Sequence, residues 1–326
     1  MRLSLALVGV LLVAGYAHAA DPPPVLRFGT LVPDGTAWAR ELKAFAREVE
    51  DGAHQRIKFY WGGIAGDERE MIARIKRGQL DGAAGAVVCT ELAPSLQVTR
   101  LQGLFPSRDD HERLLRQIPN VDEEFKKAGF INLGLGGLGP SIIFTKRPVT
   151  TWAELQKMRL WRWDIDPVAW QQDRMMGLDV VPLSVNDASA AFDAGKVDGF
   201  VALSASALAF QWQSRAPNIL PLELDYLNAC MIVSLPSWDA LPTDTKQTMR
   251  AAGAKLQRRM ELVGRDVDRV VSSGTLTGHG VHVTTVPPAT RTAFFNAARA
   301  TRPHAAVEGH VPADALQWVL RELGIK

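Results

Sequence analysis

A repeated alternation of short apolar strands and amphipathic helices is the feature that most constrains the fold of this chain. Residues 25–28 and 57–60 read as strands. Residues 35–50, and the segment that ends at Gly78, repeat apolar side chains at helical spacing. Because alternating strands and helices favour a mostly parallel sheet with helices on its faces, we expect an α/β fold.

A short internal echo indicates that the chain contains two such units. Residues 77–83 read RGQLDGA and residues 194–200 read AGKVDGF. Each copy follows a helical pattern, places a glycine where a left-handed helix end is favoured, and leads into an apolar strand. Their equivalent positions in two strand–helix units predict two domains built on one plan.

A helical pattern that runs from Thr243 to about Ser273 is long enough to lie across both domains. Its apolar stripe includes Met249, Leu256 and Met260. At 1.5 Å per residue such a helix spans about 45 Å, which exceeds one small domain. A chain of 326 residues also has the length expected for two domains of ordinary size.

The first residues have the composition of a secretory signal peptide. Arg2 precedes an apolar run at residues 3–14, and residues 17–19 form a small-x-small cleavage site. The run is short for a membrane span, which needs about 20 residues. We therefore expect residues 1–19 to be removed before Ala20 and the mature protein to reside in the periplasm.

The charge and the cysteines narrow the possible partners and cross-links. A formal charge of +2 gives no indication of a nucleic-acid partner. Cys89 and Cys230 lie far apart in the sequence, and an oxidising compartment permits a disulfide between them. Two cysteines do not form a disulfide scaffold, and the sequence favours two buried thiols.

No catalytic or cofactor-binding motif stands in a fitting context in the sequence. It contains no P-loop, no HExxH and no GxSxG, and GLGGLG at 134–139 matches GxGxxG by spacing alone. The glycine-rich residues 134–139 precede a predicted strand at 141–144, whereas a phosphate loop would open a helix. We therefore predict no cofactor, no metal site and no enzymatic activity.

Four segments together resemble the solute-binding proteins of TRAP transporters, the DctP family, over essentially the whole mature chain. The segments are LRFGTLVPDGTAW at 26–38, YWGGIAGDEREMIARIKRGQLDGA at 60–83, KRPVTTWAELQKMRLW at 146–161 and VVPLSVNDASAAFDAGKVDG at 180–199. The first two resemble the family's first two strands with the turn and helix that follow, and the last two resemble stretches of its second domain. Their shared order and spacing make the resemblance specific.

The resemblance implies an α/β, two-domain periplasmic-binding-protein-like fold with a ligand cleft between the domains and a long domain-spanning helix. We expect domain I at residues 25–139 and 228–267, and domain II at residues 140–227 and 268–326. The resemblance also implies an extracytoplasmic receptor that closes on a small solute, usually an organic acid. Such a receptor delivers its solute to the membrane subunits of a TRAP permease.

The segment KMRLWRWDIDPVAW, residues 157–170, departs from the family where its ligand-binding arginine is expected. That arginine holds the ligand carboxylate through two parallel hydrogen bonds. An ungapped alignment puts Trp161 at this position and Arg159 at the preceding lysine, while a shift of one residue would restore Arg162 to the role. We favour Trp161, which would replace the carboxylate clamp with an apolar surface for stacking.

Two further departures also exchange polar donors for apolar area. The region GPSIIFTKRP at 139–148 lacks the family's second arginine, and Ala202 stands where the family often has asparagine. Since buried unpaired donors cost free energy, this composition indicates a solute with little charge. The predicted pocket walls are Trp161, Phe200, Ala202, Leu203, Cys89 and Thr90. The predicted rim is Trp38, Asp67 and Ser141.

The sequence thus predicts a TRAP-type receptor for a weakly polar or hydrophobic solute, such as a monocarboxylate with a large apolar body. A second interpretation is an ordinary organic-acid receptor in which Arg159 or Arg162 holds the acid group. Trp163 either lines the pocket or fills the core. An exported enzyme, and a lipid-handling protein that passes cargo to a periplasmic partner such as a helical-repeat protein, are the less favoured interpretations.

Overall fold

The structure, a computed structural model, describes residues 24–275, 277 and 280–325. The predicted signal peptide at residues 1–19 lies outside these described residues. Within them, no helix combines the length and the apolar composition that crossing a bilayer requires.

Strands and helices alternate along the chain, as the sequence predicts. The strands are β1 (Leu26–Thr30), β2 (Ile57–Tyr60), β3 (Gly82–Gly85), β4 (Phe130–Thr145), β5 (Arg159–Trp163), β6 (Asp179–Leu183), β7 (Gly199–Leu203), β8 (Asn218–Leu220), β9 (Tyr226–Ser234) and β10 (His282–Val283). The α-helices are α1 (Ala37–Ala53), α2 (Glu68–Lys76), α3 (Val87–Leu92), α4 (Arg108–Leu115), α5 (Val121–Lys127), α6 (Trp152–Leu155), α7 (Pro167–Met175), α8 (Val185–Asp193), α9 (Ser204–Ala209), α10 (Leu235–Asp239), α11 (Thr243–Ser272), α12 (Pro288–Glu308) and α13 (Ala313–Glu322). Short 3-10 segments occupy Pro94–Arg100 and Trp212–Ser214.

The strands form a mixed sheet in the order β2-β1-β3-β9-β4-β7-β5-β6, and β8 pairs with β4 and β10. β1 is parallel to β2 and β3, and β5 is parallel to β6 and β7. Each parallel group is one strand–helix unit of the kind predicted from the sequence. The antiparallel strands β4 and β9 lie between the two groups and connect them.

The 16-residue strand β4 belongs to both halves of the sheet. It is antiparallel to β9 up to Pro140 and antiparallel to β7 from Ser141 onward. The glycine-rich residues 134–139, expected before a strand, lie inside β4, and Gly139 has a φ of +128° that other residues rarely adopt. The predicted domain limit between residues 139 and 140 falls next to this change of partners, and the domain limits stay a prediction.

The internal echo marks equivalent positions in the two units. Gly78 follows α2 with a φ of +69°, and Gly195 follows α8 with a φ of +67°. Both glycines adopt the left-handed conformation that ends a helix, and the chain then enters β3 or β7. The two units therefore share the same order of helix, left-handed glycine and strand at this place, as the sequence predicts.

The aspartates of the two echo sequences also make the same contact. Asp81 accepts hydrogen bonds from the backbone N–H and the Nε of Arg27 at 2.8 and 2.9 Å. Asp198 accepts hydrogen bonds from the backbone N–H and the Nε of Arg159, each at 3.1 Å. Because Arg27 lies on β1 and Arg159 on β5, each aspartate fastens the beginning of β3 or β7 to its neighbouring strand.

The 30-residue helix α11 crosses the sheet with its backbone against β4. A Cβ atom on Gly253 would lie 2.0 Å from the carbonyl oxygen of Leu133, and one on Gly264 would lie 2.3 Å from that of Leu138. Only glycine permits so close an approach. α11 also contacts α1 and α9, which belong to different units, so the predicted domain-spanning helix is confirmed.

Cys89 and Cys230 form a disulfide between α3 and β9, with their Cα atoms 5.8 Å apart. The sequence-based expectation of two buried thiols is therefore wrong. Both residues are buried, and the packing of α3 on β9 brings them together across 141 residues of sequence. Pairing at such a distance depends on the fold and has no local sequence signal.

The C-terminal helix packs on the side of the first domain. Val311 and Val319 lie in the same apolar core as Leu96, and α13 contacts the 3-10 segment Pro94–Arg100. This packing differs from the expectation that all of residues 268–326 belong to domain II. The apolar face of α13 thus packs against the first unit and not against the second.

Replacing both cysteines, Cys89→Ala with Cys230→Ala, should lower the free energy of unfolding by about 2–4 kcal/mol, because the bridge restricts a long loop in the unfolded chain. Alanine keeps both positions apolar, so the loss reports mainly the cross-link. Urea unfolding followed by circular dichroism measures it. Thiol titration of the denatured, unreduced wild-type protein should find no free cysteine, and two free thiols would contradict the bridge.

Candidate functional site

A cavity lies between the two units, at the carboxyl ends of β1, β3, β5 and β7. Its volume is about 120 Å³. The carboxyl ends of parallel strands are where open α/β sheets bind ligands. The predicted site residues that line this cavity are Trp38, Ser141, Trp161, Arg162, Trp163, Ala202 and Leu203.

Trp161 forms one wall of the cavity and is held there by its neighbours. Its indole N–H donates a hydrogen bond to the carbonyl oxygen of Leu183 at 3.1 Å. Its ring meets that of Trp212 edge to face at 4.9 Å between centroids. Phe200 lies behind this wall, stacked on Trp212 at 4.8 Å, and does not line the cavity. The wall is therefore rigid, aromatic and backed by a second aromatic layer.

The structure does not bring Arg159 into the cavity. Its side chain is 43% exposed, and it forms a salt bridge with Asp198, which also pairs with Lys146. Burial opposes the ionisation of Asp198, but these two cations outweigh it and hold the pKa of the carboxyl well below its ordinary value. Arg159 occupies the position that Arg27 occupies in the first unit, so its contact belongs to the strand framework.

Arg162 lies at the cavity but is already paired with carboxylates of the protein. Its Nε donates a hydrogen bond to Asp173, and its Nη2 donates to Asp225 at 2.8 Å. Its side chain is only 4% exposed. Because side chains alternate along a strand, Arg162 and Trp161 should point to opposite faces of β5. In the structure the Arg162 side chain points towards Asp173 on α7.

A second buried arginine, Arg100, has no counterpart among the residues predicted from the sequence. Its Nε and Nη2 donate hydrogen bonds to one oxygen of Asp166 at 2.9 and 2.6 Å. Its Nη1 lies 2.7 Å from Asp225 Oδ1 without the geometry of a hydrogen bond. Arg100 ends a 3-10 segment that has no periodic pattern, and both partners are distant in sequence, so no local signal could have found it.

Asp225 joins the two arginines into one network. Besides Arg100 and Arg162 it accepts hydrogen bonds from Ser141 Oγ at 2.7 Å and from Gln102 Nε2 at 3.0 Å. Burial alone would raise the pKa of Asp225, but the two guanidinium groups outweigh burial and hold it at about 2. The hydroxyl of Ser141 is thereby occupied, although Ser141 lines the cavity.

The network contains more carboxylates than guanidinium groups. Arg100 and Arg162 face Asp166, Asp173 and Asp225, all buried. Burial raises the pKa of Asp173 to about 6, against the opposing effect of Arg162. Neither guanidinium therefore offers a free positive charge to a bound anion.

The remaining predicted residues lie outside the cavity lining. Cys89 is in the disulfide, and Thr90 donates its hydroxyl hydrogen to the carbonyl oxygen of Val87 at 2.7 Å. Asp67 caps α2 by accepting a hydrogen bond from the backbone N–H of Glu70 at 2.8 Å. These side chains stabilise local structure behind the site.

Glu68, the residue after the predicted Asp67, does line the cavity. Its carboxyl oxygens accept hydrogen bonds from the backbone N–H groups of Ala86 and Val88, both at 2.7 Å. Burial raises the pKa of Glu68 to about 7. The cavity lining thus contains a buried carboxyl group that is harder to ionise than an exposed one.

Among the described residues, three buried donors on side chains that line the cavity have no hydrogen-bond partner. They are the indole N–H groups of Trp38 and Trp163 and the Nη1 of Arg100, which lies 2.7 Å from Asp225 Oδ1. Almost none of the surface of these three nitrogen atoms is exposed. Trp163, which the sequence left open between core and pocket, is a lining residue in the structure.

No group of three or more metal-ligating side chains occurs in the part of the chain that the structure describes.

A family model described as bacterial extracellular solute-binding protein, family 7, matches residues 28–306. A solute-binding protein of Sulfitobacter sp. strain NAS-14.1 is 23% identical over 280 residues, which cover 80% of this chain and 83% of the relative.

The fold is similar to those of solved TRAP periplasmic solute-binding proteins. A sugar acid binding protein of Advenella mimigardefordensis in complex with galactonate matches with a TM-score of 0.84 and 17% identity, over 92% of this chain and 97% of that protein. A protein of Chromohalobacter salexigens with bound D-glucuronate matches with a TM-score of 0.81 and 20% identity, over 91% and 98%. The predicted two-domain fold is confirmed.

Asp225→Asn should lower the free energy of unfolding at pH 7 by about 2–3 kcal/mol, because the folded state holds the pKa of Asp225 near 2 and the unfolded chain does not. This stabilisation is complete above about pH 4 and is lost as the pH falls through 2. The matched control is Asp193→Asn, which breaks an exposed pair with Arg215 and should cost much less, because solvent screens that pair. Equal losses in urea unfolding would contradict the network's role.

Glu68→Gln tests the buried carboxyl through the pH dependence of stability. The folded state keeps Glu68 protonated to about pH 7, whereas the unfolded chain releases the proton near pH 4.5. The wild type should therefore lose on the order of 3 kcal/mol of stability between pH 5 and pH 8 that the variant does not lose. Urea unfolding of both proteins measures the difference, and parallel curves would show that Glu68 has an ordinary pKa.

Proposed function

This chain belongs to family 7 of the bacterial extracellular solute-binding proteins, and we propose that its solute is held mainly by apolar contact. The solute is a monocarboxylate with a large apolar body, or an uncharged molecule of similar shape. The family consists of periplasmic receptors that bind small solutes and work with membrane permease subunits. We further propose that residues 1–19 are the cleaved signal peptide and that the receptor delivers this solute to a TRAP permease.

The observation that carries the proposal is the pairing of every arginine that the sequence or the structure brings near the site. Arg159 is bound to Asp198 at the surface, and Arg100 and Arg162 are neutralised by buried aspartates. A dicarboxylate would have to displace one of these protein carboxylates or remain unpaired in a buried cavity. Either outcome costs more free energy than an apolar contact returns.

The walls of the cavity support the same solute class. They present the rings of Trp161, Trp212 and Phe210 and the aliphatic side chains of Leu203 and Met260. Contact with such surfaces stabilises a complex by about 25 cal/mol for each Å² of apolar area removed from water. A solute with an apolar body gains this contact without losing hydrogen bonds to water.

Solved relatives of this chain hold solutes of a more polar kind. The solved relatives from Chromohalobacter and Advenella hold D-glucuronate and galactonate, which are polyhydroxylated acids. The apolar walls of this chain offer few partners for such hydroxyl groups, so we place its solute in a different class.

The competing interpretations of the sequence have less support. An organic-acid receptor that uses Arg159 or Arg162 needs a free guanidinium, and both are paired. The family and its solved relatives are solute-binding proteins and not enzymes. A helical-repeat partner gains no support from the comparisons.

Calorimetry should show that hexanoate or phenylacetate binds about tenfold or more tightly than succinate or galactonate, since an unpaired second charge costs at least about 1.4 kcal/mol. Native mass spectrometry of freshly purified protein should find a co-purifying solute with at most one acidic group. A co-purified dicarboxylate or sugar acid, bound more tightly than the monocarboxylates, would refute the proposed class.

Trp161→Phe should weaken binding of phenylacetate about five- to tenfold, because the smaller ring loses stacking area worth about 1 kcal/mol. The control is Trp152→Phe, a tryptophan on α6 that packs against Phe294 away from the cavity. We expect the control to bind as the wild type does. Equal affinity in both variants would remove Trp161 from the binding surface.

A further inference from the structure

We propose that the cavity continues into an apolar side pocket that receives an unbranched arm of the solute. This inference rests on the proposed function and specifies its substrate class further. The side pocket lies between the sheet and the helices α1 and α11. Its volume is about 30 Å³.

The side pocket and the main cavity share part of their walls. Leu42, Ala84, Ala229 and Met260 line both spaces. These four residues lie on α1, β3, β9 and α11 and form the boundary between the two spaces. The passage that we propose runs between their side chains, with no further layer of residues to cross.

The floor of the passage consists of unusually small side chains. Alternation along β9 puts Leu227, Ala229 and Met231 on one face, and the register pairs Ala84 with Met231. Ala84 and Ala229 remain only half-buried in the middle of the sheet, next to the fully buried Met231. Protein interiors are normally close-packed, so a gap above two central alanines indicates space kept for another molecule.

The roof of the side pocket can adapt to an arm without opening. Leu256 and Met260 on α11 and Leu42 on α1 cover the alanine floor, and all three are buried. The flexible thioether of Met260 fills gaps of varying shape. Gln257 on α11, which is half-buried, has a polar side-chain amide, and no other described lining residue of the side pocket does.

Two glycines of β4 let α11 lie close to the sheet beside the side pocket. A Cβ on Gly134 would lie 2.9 Å from the carbonyl oxygen of Gly253, and one on Gly136 would lie 3.0 Å from Cγ of Gln257. Both glycines also line the side pocket, so a larger residue at either position would press on α11 or push it away. The side pocket is therefore a narrow slot beside a close contact.

The size of the slot defines the chemistry of the arm. A space of 30 Å³ on this measure holds about two water molecules, or a short run of methylene groups. Its walls carry no charged side chain among the described lining residues. The arm is therefore a straight alkyl segment, and a branched or ring-bearing arm does not fit.

The test is a chain-length series of straight-chain monocarboxylates, from butanoate to decanoate, measured by calorimetry. In the wild type, affinity should rise about fourfold for each added methylene until the slot is full, since each buried methylene contributes about 0.8 kcal/mol. Ala229→Leu fills the passage and should abolish the rise of affinity with chain length for the longer members.

The matched control is Ala202→Leu, a buried alanine on β7 that lines the main cavity but not the side pocket. This control should weaken binding of the whole series and keep the rise with chain length. Met260→Ala, which widens the passage, should shift the best chain length upward. If the Ala229→Leu variant does not fold, the Met260→Ala variant provides a second test of the side pocket.

The outcomes separate this inference from the proposed function. An undiminished rise with chain length in Ala229→Leu, or an unchanged best length in Met260→Ala, would overturn the side pocket alone. Binding of no member of the series by the wild type would overturn both the side pocket and the proposed solute class. A rise that is lost in Ala229→Leu and kept in Ala202→Leu supports both.

Discussion

The buried network of Arg100 and Arg162 with Asp166, Asp173 and Asp225 is the interaction on which the rest of this structure depends. It joins the 3-10 segment of the first unit to α7 and β5 of the second, at the place where the strands change partners. Its charges satisfy one another, so it fixes the two units together and also removes positive charge from the cavity. The same network would therefore govern both stability and the ligand preference that we propose.

The sequence predicted the parts of the fold that have local signals. The echo around Gly78 and Gly195 and the long helix α11 follow from helix ends and apolar spacing, which are properties of neighbouring residues. Trp161 lies on the cavity wall, where strand alternation directs it, and its role in binding stays a prediction. Arg159 pairs with Asp198 at the surface and does not line the cavity. Because 39 residues separate the two, no local pattern in the sequence indicates this pair.

The features that the sequence did not reveal all depend on contacts between distant segments. The Cys89–Cys230 bridge, the partners of Arg100 and the location of α13 arise only when the two units fold together. Glu68 differs from Asp67 in function although the two are adjacent, because a helix start directs them to different sides. Burial and pairing decide the roles of these residues, and neither can be predicted from the residue type alone.

If the aromatic walls around Trp161 hold the solute as we propose, they also determine how binding responds to temperature. A complex formed by removing apolar surface from water has a negative heat capacity change, whereas ion pairing contributes little of that kind. The enthalpy of binding then becomes more favourable on warming while the affinity changes less, because entropy compensates. A receptor of this design would hold its solute with similar strength over the range of temperatures at which a bacterium grows.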